Sequence, residues 1–380
     1  MTSRPTTHDS RPPVRAVVDL DAIASNYRVL ARRVAPRPVY GVVKADAYGH
    51  GAAPVASRLA REGADRFAVA NADEGVALRR AGVPGEILVL SSAEPVDIPR
   101  IRAYGLTPAL YDSGQAEAIA AAARGLAEPL RVHLELDTGM GRAGFRLEEL
   151  DFVIALLRGA PHLRLSGTFA NLSRADEPAS IEAGLQIERL RAAADRLRSA
   201  GIAPGLVHAA NSAAILGSPG AWLDAVRPGL ALYGVAPSEG QAPPELTPAM
   251  TVETRVTSVR RVPAGTALGY GGRFVTARET TIAVLPIGYH DGFRRSFSGR
   301  VAVLLGGKRA PVVGAISMDV TLVDATGAGA GRGDRAVCLG RDGGESVTAW
   351  ELARAADTIP YEILCGFGPR VPRVHAEIRG

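Results

Sequence analysis

Along the first two-thirds of the chain, short aliphatic and β-branched runs alternate with stretches whose apolar residues recur every three or four positions. The runs are Arg15–Leu20, Val39–Ala45, Arg66–Ala70, Glu86–Ser91, Leu106–Leu110, Leu130–Asp137, Leu163–Asn171, Leu206–Asn211 and Val226–Tyr233. Between most of them the spacing is helical. Asp21 is placed to cap a helix over Asp21–Val34, and Gln186–Ala200 lines up Leu190, Ala194 and Leu197 with arginines opposite. Near-continuous apolar strands separated by helices call for a parallel sheet covered on both faces. These nine runs predict an α/β fold whose N-terminal part is a (β/α)8 TIM-type barrel with one strand spare.

The pattern changes after the Pro-rich stretch Ala242–Pro248. Helical periods fade, and short strands are predicted at Met250–Val262, Thr280–Pro286, Arg300–Leu304, Arg309–Val313 and Val320–Val323. Turn signals at Pro263–Gly265, Gly306–Gly307 and Arg341–Gly344 separate strands, and one late helix is expected over Ala349–Ala356. The division reads as a disordered tail over 1–14, a barrel over 15–243 and a mainly antiparallel β domain over 244–380.

Composition narrows the class. The 380 residues carry 44 Lys+Arg against 39 Asp+Glu, and the basic residues are scattered rather than massed, so a nucleic-acid partner is not expected. Cys338 and Cys365 are too few for a disulfide framework or a thiolate metal site, and no metal site is expected. No apolar run is long enough to cross a bilayer, and the arginine-bearing start lacks a signal-type apolar core. A cytoplasmic enzyme without a membrane partner is the expectation.

Candidate chemistry begins at Lys44, which closes the apolar run Val39–Ala45. A lysine there sits at the carboxyl end of a parallel strand, the face where barrel enzymes place their reacting groups. Desolvation lowers an amine's pKa and frees it for Schiff-base chemistry, whereas a lysine merely extending to solvent has no such role. Position alone does not separate the two.

The neighbouring residues do. Lys44-Ala45-Asp46-Ala47-Tyr48-Gly49-His50-Gly51 resembles the cofactor-lysine motif of alanine racemases, the fold-type III enzymes dependent on pyridoxal phosphate (PLP). The resemblance continues in order through Asp137–Arg142, His208–Ser212, Val226–Leu230 with Leu232–Gly234, and Gly269–Gly271. Ile287–Gly292, Ser317–Asp319 and Tyr361–Cys365 complete it.

The resemblance implies that Lys44 binds PLP covalently and is one of two acid/base groups at the substrate Cα. It implies that Tyr48, Ser212, Gly229, Leu230 and Tyr361 hold the cofactor phosphate, beside Asn211, and that Arg227, supported by His208, faces the pyridine nitrogen. A guanidinium donates there without giving up its proton, which leaves the cofactor a weaker electron sink and disfavours side reactions. Tyr270 matches the second base, contributed by the partner subunit of a homodimer. Arg142, Tyr289 and Met318 lie toward the substrate carboxylate, with Asp319 supporting. The implied reaction interconverts L- and D-alanine, supplying D-alanine for bacterial cell wall or degrading it. Racemases of other specificity, for example for serine, a decarboxylase-like relative and a non-catalytic PLP carrier are the alternatives.

Two positions depart from the family pattern. Where the family usually has a carbamylated lysine, seven residues before Arg142, this chain has Glu135. Its carboxyl carbon is nearer the backbone by roughly 3–4 Å, and Glu135 is expected to anchor Arg142, directly or through water, the alternative being that it points elsewhere. Where the family usually has a histidine against the cofactor ring, the chain has Asn171. A smaller group there leaves space for a bulkier substrate side chain.

Overall fold

The computed structural model describes residues 13–177 and 180–376. Most of the tail expected over 1–14 lies outside the described residues, though Val14 already opens a strand. Contacts divide the chain into two compact units: Leu20–Ala249, and 13–19 together with Met250–Ala376.

In the first unit, parallel strands Gly41–Val42, Arg66–Asn71, Glu86–Ser92, Leu106–Leu110, Leu130–Asp137, Leu163–Phe169 and Leu206–His208 pair in that order. Parallel bridges from Ala225 to His208 and from Val226 to Val39 supply an eighth strand and close the barrel. Tyr40 N donates to Val226 O and Val226 N to Pro38 O at this seam. The run expected as a strand over Val226–Tyr233 extends only this far; Leu230–Tyr233 winds into a 3-10 turn. Helices such as Leu20–Val34 and Glu182–Ser199 bury one stripe each, as their spacing predicts. Asp21 lies inside the first turn of its helix rather than capping it.

The spare strand is the first. Val14–Asp19, expected within the barrel, pairs antiparallel with Met250–Arg255 and parallel with Arg373–Ala376 in the second unit. Its burial alternates strictly, with Val14, Ala16 and Val18 inward, which suits a half-covered sheet better than a barrel strand buried throughout. Glu253 receives Arg15 Nη2 at 2.6 Å and also pairs with Arg335, tying three neighbouring strands together.

The rest of the second unit is antiparallel, as expected. The expected single strand Met250–Val262 is two, Met250–Arg255 and Ser258–Val262, which lie at different places in the sheet order. Arg335–Asp342, a strand the turn signal at Arg341–Gly344 obscured, pairs with Met250–Arg255 and Ala302–Leu305.

Candidate active site

Lys44 follows the strand Gly41–Val42 at its carboxyl end, but the extended run expected to reach Ala45 stops earlier. From Ala45 to Tyr48 the backbone turns left-handed, with φ of 53°, 52°, 55° and 55°. Each such residue costs an L-amino acid about 1–2 kcal/mol, so the turn needs outside support. Glu74 supplies it, accepting from Ala45 N at 2.8 Å and from Ala70 N at 2.7 Å, while Asp46 Oδ1 accepts from Ala52 N at 2.7 Å. The turn carries Tyr48 inward, where its ring packs 5.1 Å from that of Tyr233, whose hydroxyl donates to Val42 O.

Across the seam lies a cradle of backbone. Asn211 caps the short helix Ser212–Gly217, and Ser212 Oγ accepts from Gly229 N at 2.9 Å and Ala231 N at 3.2 Å. Gly229 is a glycine for a steric reason: a Cβ there would collide with the hydroxyl of Tyr48. Leu230 is fully buried beside it. Thus Tyr48, Ser212, Gly229 and Leu230, distant in sequence, meet at the carboxyl ends of the barrel strands.

Arg227 leaves the eighth strand with 4% of its surface exposed. Its Nη1 donates to His208 Nδ1 at 2.5 Å and His208 O at 3.1 Å; its Nη2 donates to Ala170 O at 2.9 Å and Asn171 Oδ1 at 3.1 Å. Among the described residues no carboxylate touches the guanidinium, and no acceptor engages its Nε–H. Burial lowers its pKa to about 10, which leaves it charged at neutral pH. Burial, followed by the charge of Arg227, drives His208 well below the ordinary histidine range, so that ring is neutral.

The two departures from the family pattern meet each other. Asn171 Nδ2 donates to Glu135 Oε1 at 2.8 Å while its Oδ1 accepts from Arg227, so one amide joins the carboxylate to the guanidinium. Among the described residues no direct hydrogen bond joins Glu135 to Arg142, although the charge of Arg142 still acts on the Glu135 carboxyl. Arg142 is exposed, beyond a loop whose Asp137 carboxylate collects the backbone N–H groups of Gly139, Met140 and Gly141. Burial raises the Glu135 carboxyl above its usual range, and Arg227 and then Arg142 offset only part of that.

Residues that sequence reasoning missed fill the barrel interior. Tyr40 and His133 come from strands that are not neighbours in the sheet, yet their rings lie 5.9 Å apart, which places both inside. His208 is sandwiched between Tyr40 (5.4 Å) and Phe169 (5.2 Å), and Arg227 lies over Phe169. His133 was legible in principle, since it sits two residues before Glu135 and so on the same strand face.

The remaining candidates belong to the second unit. Tyr270 stands on a glycine-flanked turn with 71% of its surface exposed, and Tyr289 and Met318 are also exposed. Tyr289 N donates to Ser317 O and His290 N to Met318 O, so these two loops are knitted together. Arg370 bridges Asp291 and Asp319 at 2.8 Å each, which assigns Asp319 a local anchoring contact. Tyr361 occupies the first turn of Pro360–Cys365. Among the described residues no group of His, Cys, Asp or Glu could hold a metal ion, and no helix is long and apolar enough to cross a membrane.

Comparison with known proteins identifies the arrangement. Residues 18–237 match the family "Alanine racemase, N-terminal domain" and residues 249–375 match "Alanine racemase, C-terminal domain". The chain belongs to the alanine racemase family. It is 44% identical to the alanine racemase of Symbiobacterium thermophilum over 97% of this chain and 98% of that one. It is 43% identical to the alanine racemase of Carboxydothermus hydrogenoformans, covering 96% and 99%. The crystal structure of alanine racemase from D-cycloserine-producing Streptomyces lavendulae superposes with a TM-score of 0.92 at 35% identity, covering 97% and 98%. As an alanine racemase family member the protein is an isomerase, and both halves of the chain match the racemase pattern rather than a single-barrel carrier.

Proposed function

We propose that this protein is a PLP-dependent alanine racemase that moves a proton between the two faces of Cα using Lys44 and the partner subunit's Tyr270. The observation that carries this reading is Arg227: a buried, charged guanidinium, held entirely by neutral acceptors, with one N–H directed to no protein group among the described residues. Such a donor suits a ring nitrogen that must accept a hydrogen bond without being protonated.

The residues present fit the cofactor. Lys44 would hold it covalently, Arg227 would face its ring nitrogen, and Tyr48, Asn211, Ser212, Gly229, Leu230 and Tyr361 would serve its phosphate. The missing Cβ at Gly229 is what gives Tyr48 access to that cradle. When bound, the cofactor supplies the electron sink that makes the Cα proton removable.

The chain's own residues do the rest. Lys44 exchanges a proton at one face of Cα and Tyr270 at the other, a division that general acid–base chemistry requires for inversion. Arg142, Tyr289 and Met318 orient the substrate carboxylate, and Asp319 steadies the Met318 loop through Arg370. A tyrosine that is mostly exposed in one chain is poorly suited to proton transfer, and this exposure supports a homodimer in which a second copy covers it. Asn171, smaller than histidine, favours a test of substrates larger than alanine.

Solvent deuterium exchange at Cα across a panel of L-amino acids tests the reading. Alanine is expected to exchange and invert, Lys44→Ala to abolish both, and Tyr270→Phe to uncouple exchange from inversion. Prompt racemisation by either variant would remove the two-base assignment.

A further inference from the structure

Arg227 does not end its hydrogen-bond chain at His208. A guanidinium can only donate, so at 2.5 Å the Nδ1 of His208 is necessarily the bare, accepting nitrogen. The proton of that neutral ring therefore sits on Nε2, which faces His133 Nδ1 at 3.1 Å and donates to it. His133, also neutral because burial outweighs its carboxylate neighbour, then carries its own proton on Nε2. That nitrogen lies 3.4 Å from Glu86 Oε1, an electrostatic contact in which neither atom completes a hydrogen bond among the described residues. Tyr40 Oη donates to the other oxygen of Glu86 at 3.1 Å. The two hydrogen bonds from Arg227 to His208 and from His208 to His133 run the same way, and the proton they leave on His133 Nε2 faces the carboxylate.

The packing leaves the rings little room to rotate. Tyr40 and Phe169 stack on the two sides of His208, and a Cβ at Gly167 would collide with the ring of His133. Glu86 is the first residue of its strand, at the end of the barrel opposite Lys44. Arg131 Nη2 at 3.4 Å and Arg66 Nε at 3.8 Å flank its carboxylate and favour its ionised, acceptor-only form.

We propose that Glu86 is a remote positioning residue which, through His133 and His208, fixes the tautomer that Arg227 meets and so the orientation of the guanidinium. This deepens the racemase reading and rests on it for its functional consequence, whereas the tautomer order itself does not. A carboxylate at the bottom of the barrel thereby governs a donor at its mouth.

The test uses full-length protein with 15N-labelled histidine, read by long-range proton–nitrogen correlation with and without PLP. In the wild type both His208 and His133 are expected as the single Nε2–H tautomer. Glu86→Gln, whose amide oxygen still accepts, is expected to keep both tautomers and to stay within about twofold of wild-type kcat. Glu86→Leu is expected to give mixed tautomers at both rings, with kcat about tenfold lower and KM little changed. His133→Phe keeps a ring in place but breaks the chain, and is expected to mix the tautomer at His208 should Glu86→Leu not fold. A proton on Nδ1 of His208 in the wild type, or an unchanged His208 signal in both Glu86→Leu and His133→Phe, overturns the proposal. Expected tautomers in a protein that leaves alanine untouched would instead refute the racemase reading.

Discussion

Arg227 is a buried cation, and the hydrogen-bond path from Glu135 to it runs through Asn171. Because burial raises the Glu135 carboxyl, the folded state binds that proton more tightly than the unfolded chain does. Ionisation then costs stability as pH rises from the unfolded value through the folded one, and nothing is lost below both. Glu135→Gln is accordingly expected to melt higher than wild type at neutral pH, with the advantage vanishing toward pH ~4. The same variant removes the negative charge behind the guanidinium, and its kcat is expected to fall about tenfold. Melting curves across that pH range, paired with chiral turnover assays, check both. Glu135 and Asn171 were each readable as departures, yet their pairing was not. They lie 36 positions apart, and contact depends on the register in which Glu135 sits opposite Phe169 on the adjoining strand.

At the scale of elements, the left-handed turn is the strongest local conflict between sequence and backbone. Ala45 is exposed and has no packing to lose, so Ala45→Gly removes a steric penalty while adding freedom to the unfolded chain. Stability is expected to stay level or rise by up to about 1 kcal/mol, whereas the same change inside an ordinary helix costs roughly that much. Chemical denaturation decides the sign. The sheet of the second unit offers a contrasting case in Glu253, whose carboxyl is held below its usual range because Arg335 and Arg15 outweigh its burial. A depressed folded pKa contributes stability above the unfolded value and loses it as pH falls through the folded one. Glu253→Gln is expected to lose about 1.5–3 kcal/mol at neutral pH, with the gap to wild type closing under acid in urea titrations. The elements themselves were mostly legible, since apolar runs such as Leu106–Leu110 are buried at every position. The misplaced Val14–Asp19 was hard to read because apolar Val17 interrupts an otherwise alternating pattern.

For the molecule as a whole, the decisive question is whether one active site draws on two chains. The motifs made Lys44 and Tyr270 visible separately, but no spacing along a chain can tell which copy supplies which group. Mixing the two inactive variants answers it. If sites are shared, a hybrid of Lys44→Ala and Tyr270→Phe holds one intact site and one doubly damaged site. Co-expressed in equal amounts, the pair is expected to recover about a quarter of wild-type activity, against almost none if each chain is self-sufficient. Size-exclusion chromatography with light scattering on the same samples gives the accompanying mass.

The position of Val14–Asp19 also governs the order of assembly during synthesis. This segment leaves the ribosome before any other described strand, yet both of its pairing partners, Met250–Arg255 and Arg373–Ala376, are translated much later. Leu20–Ala249 emerges complete in the meantime and can fold as a unit while the leading segment waits unpaired. A nascent polypeptide halted before Arg373 would therefore carry a finished barrel behind a strand still lacking one neighbour.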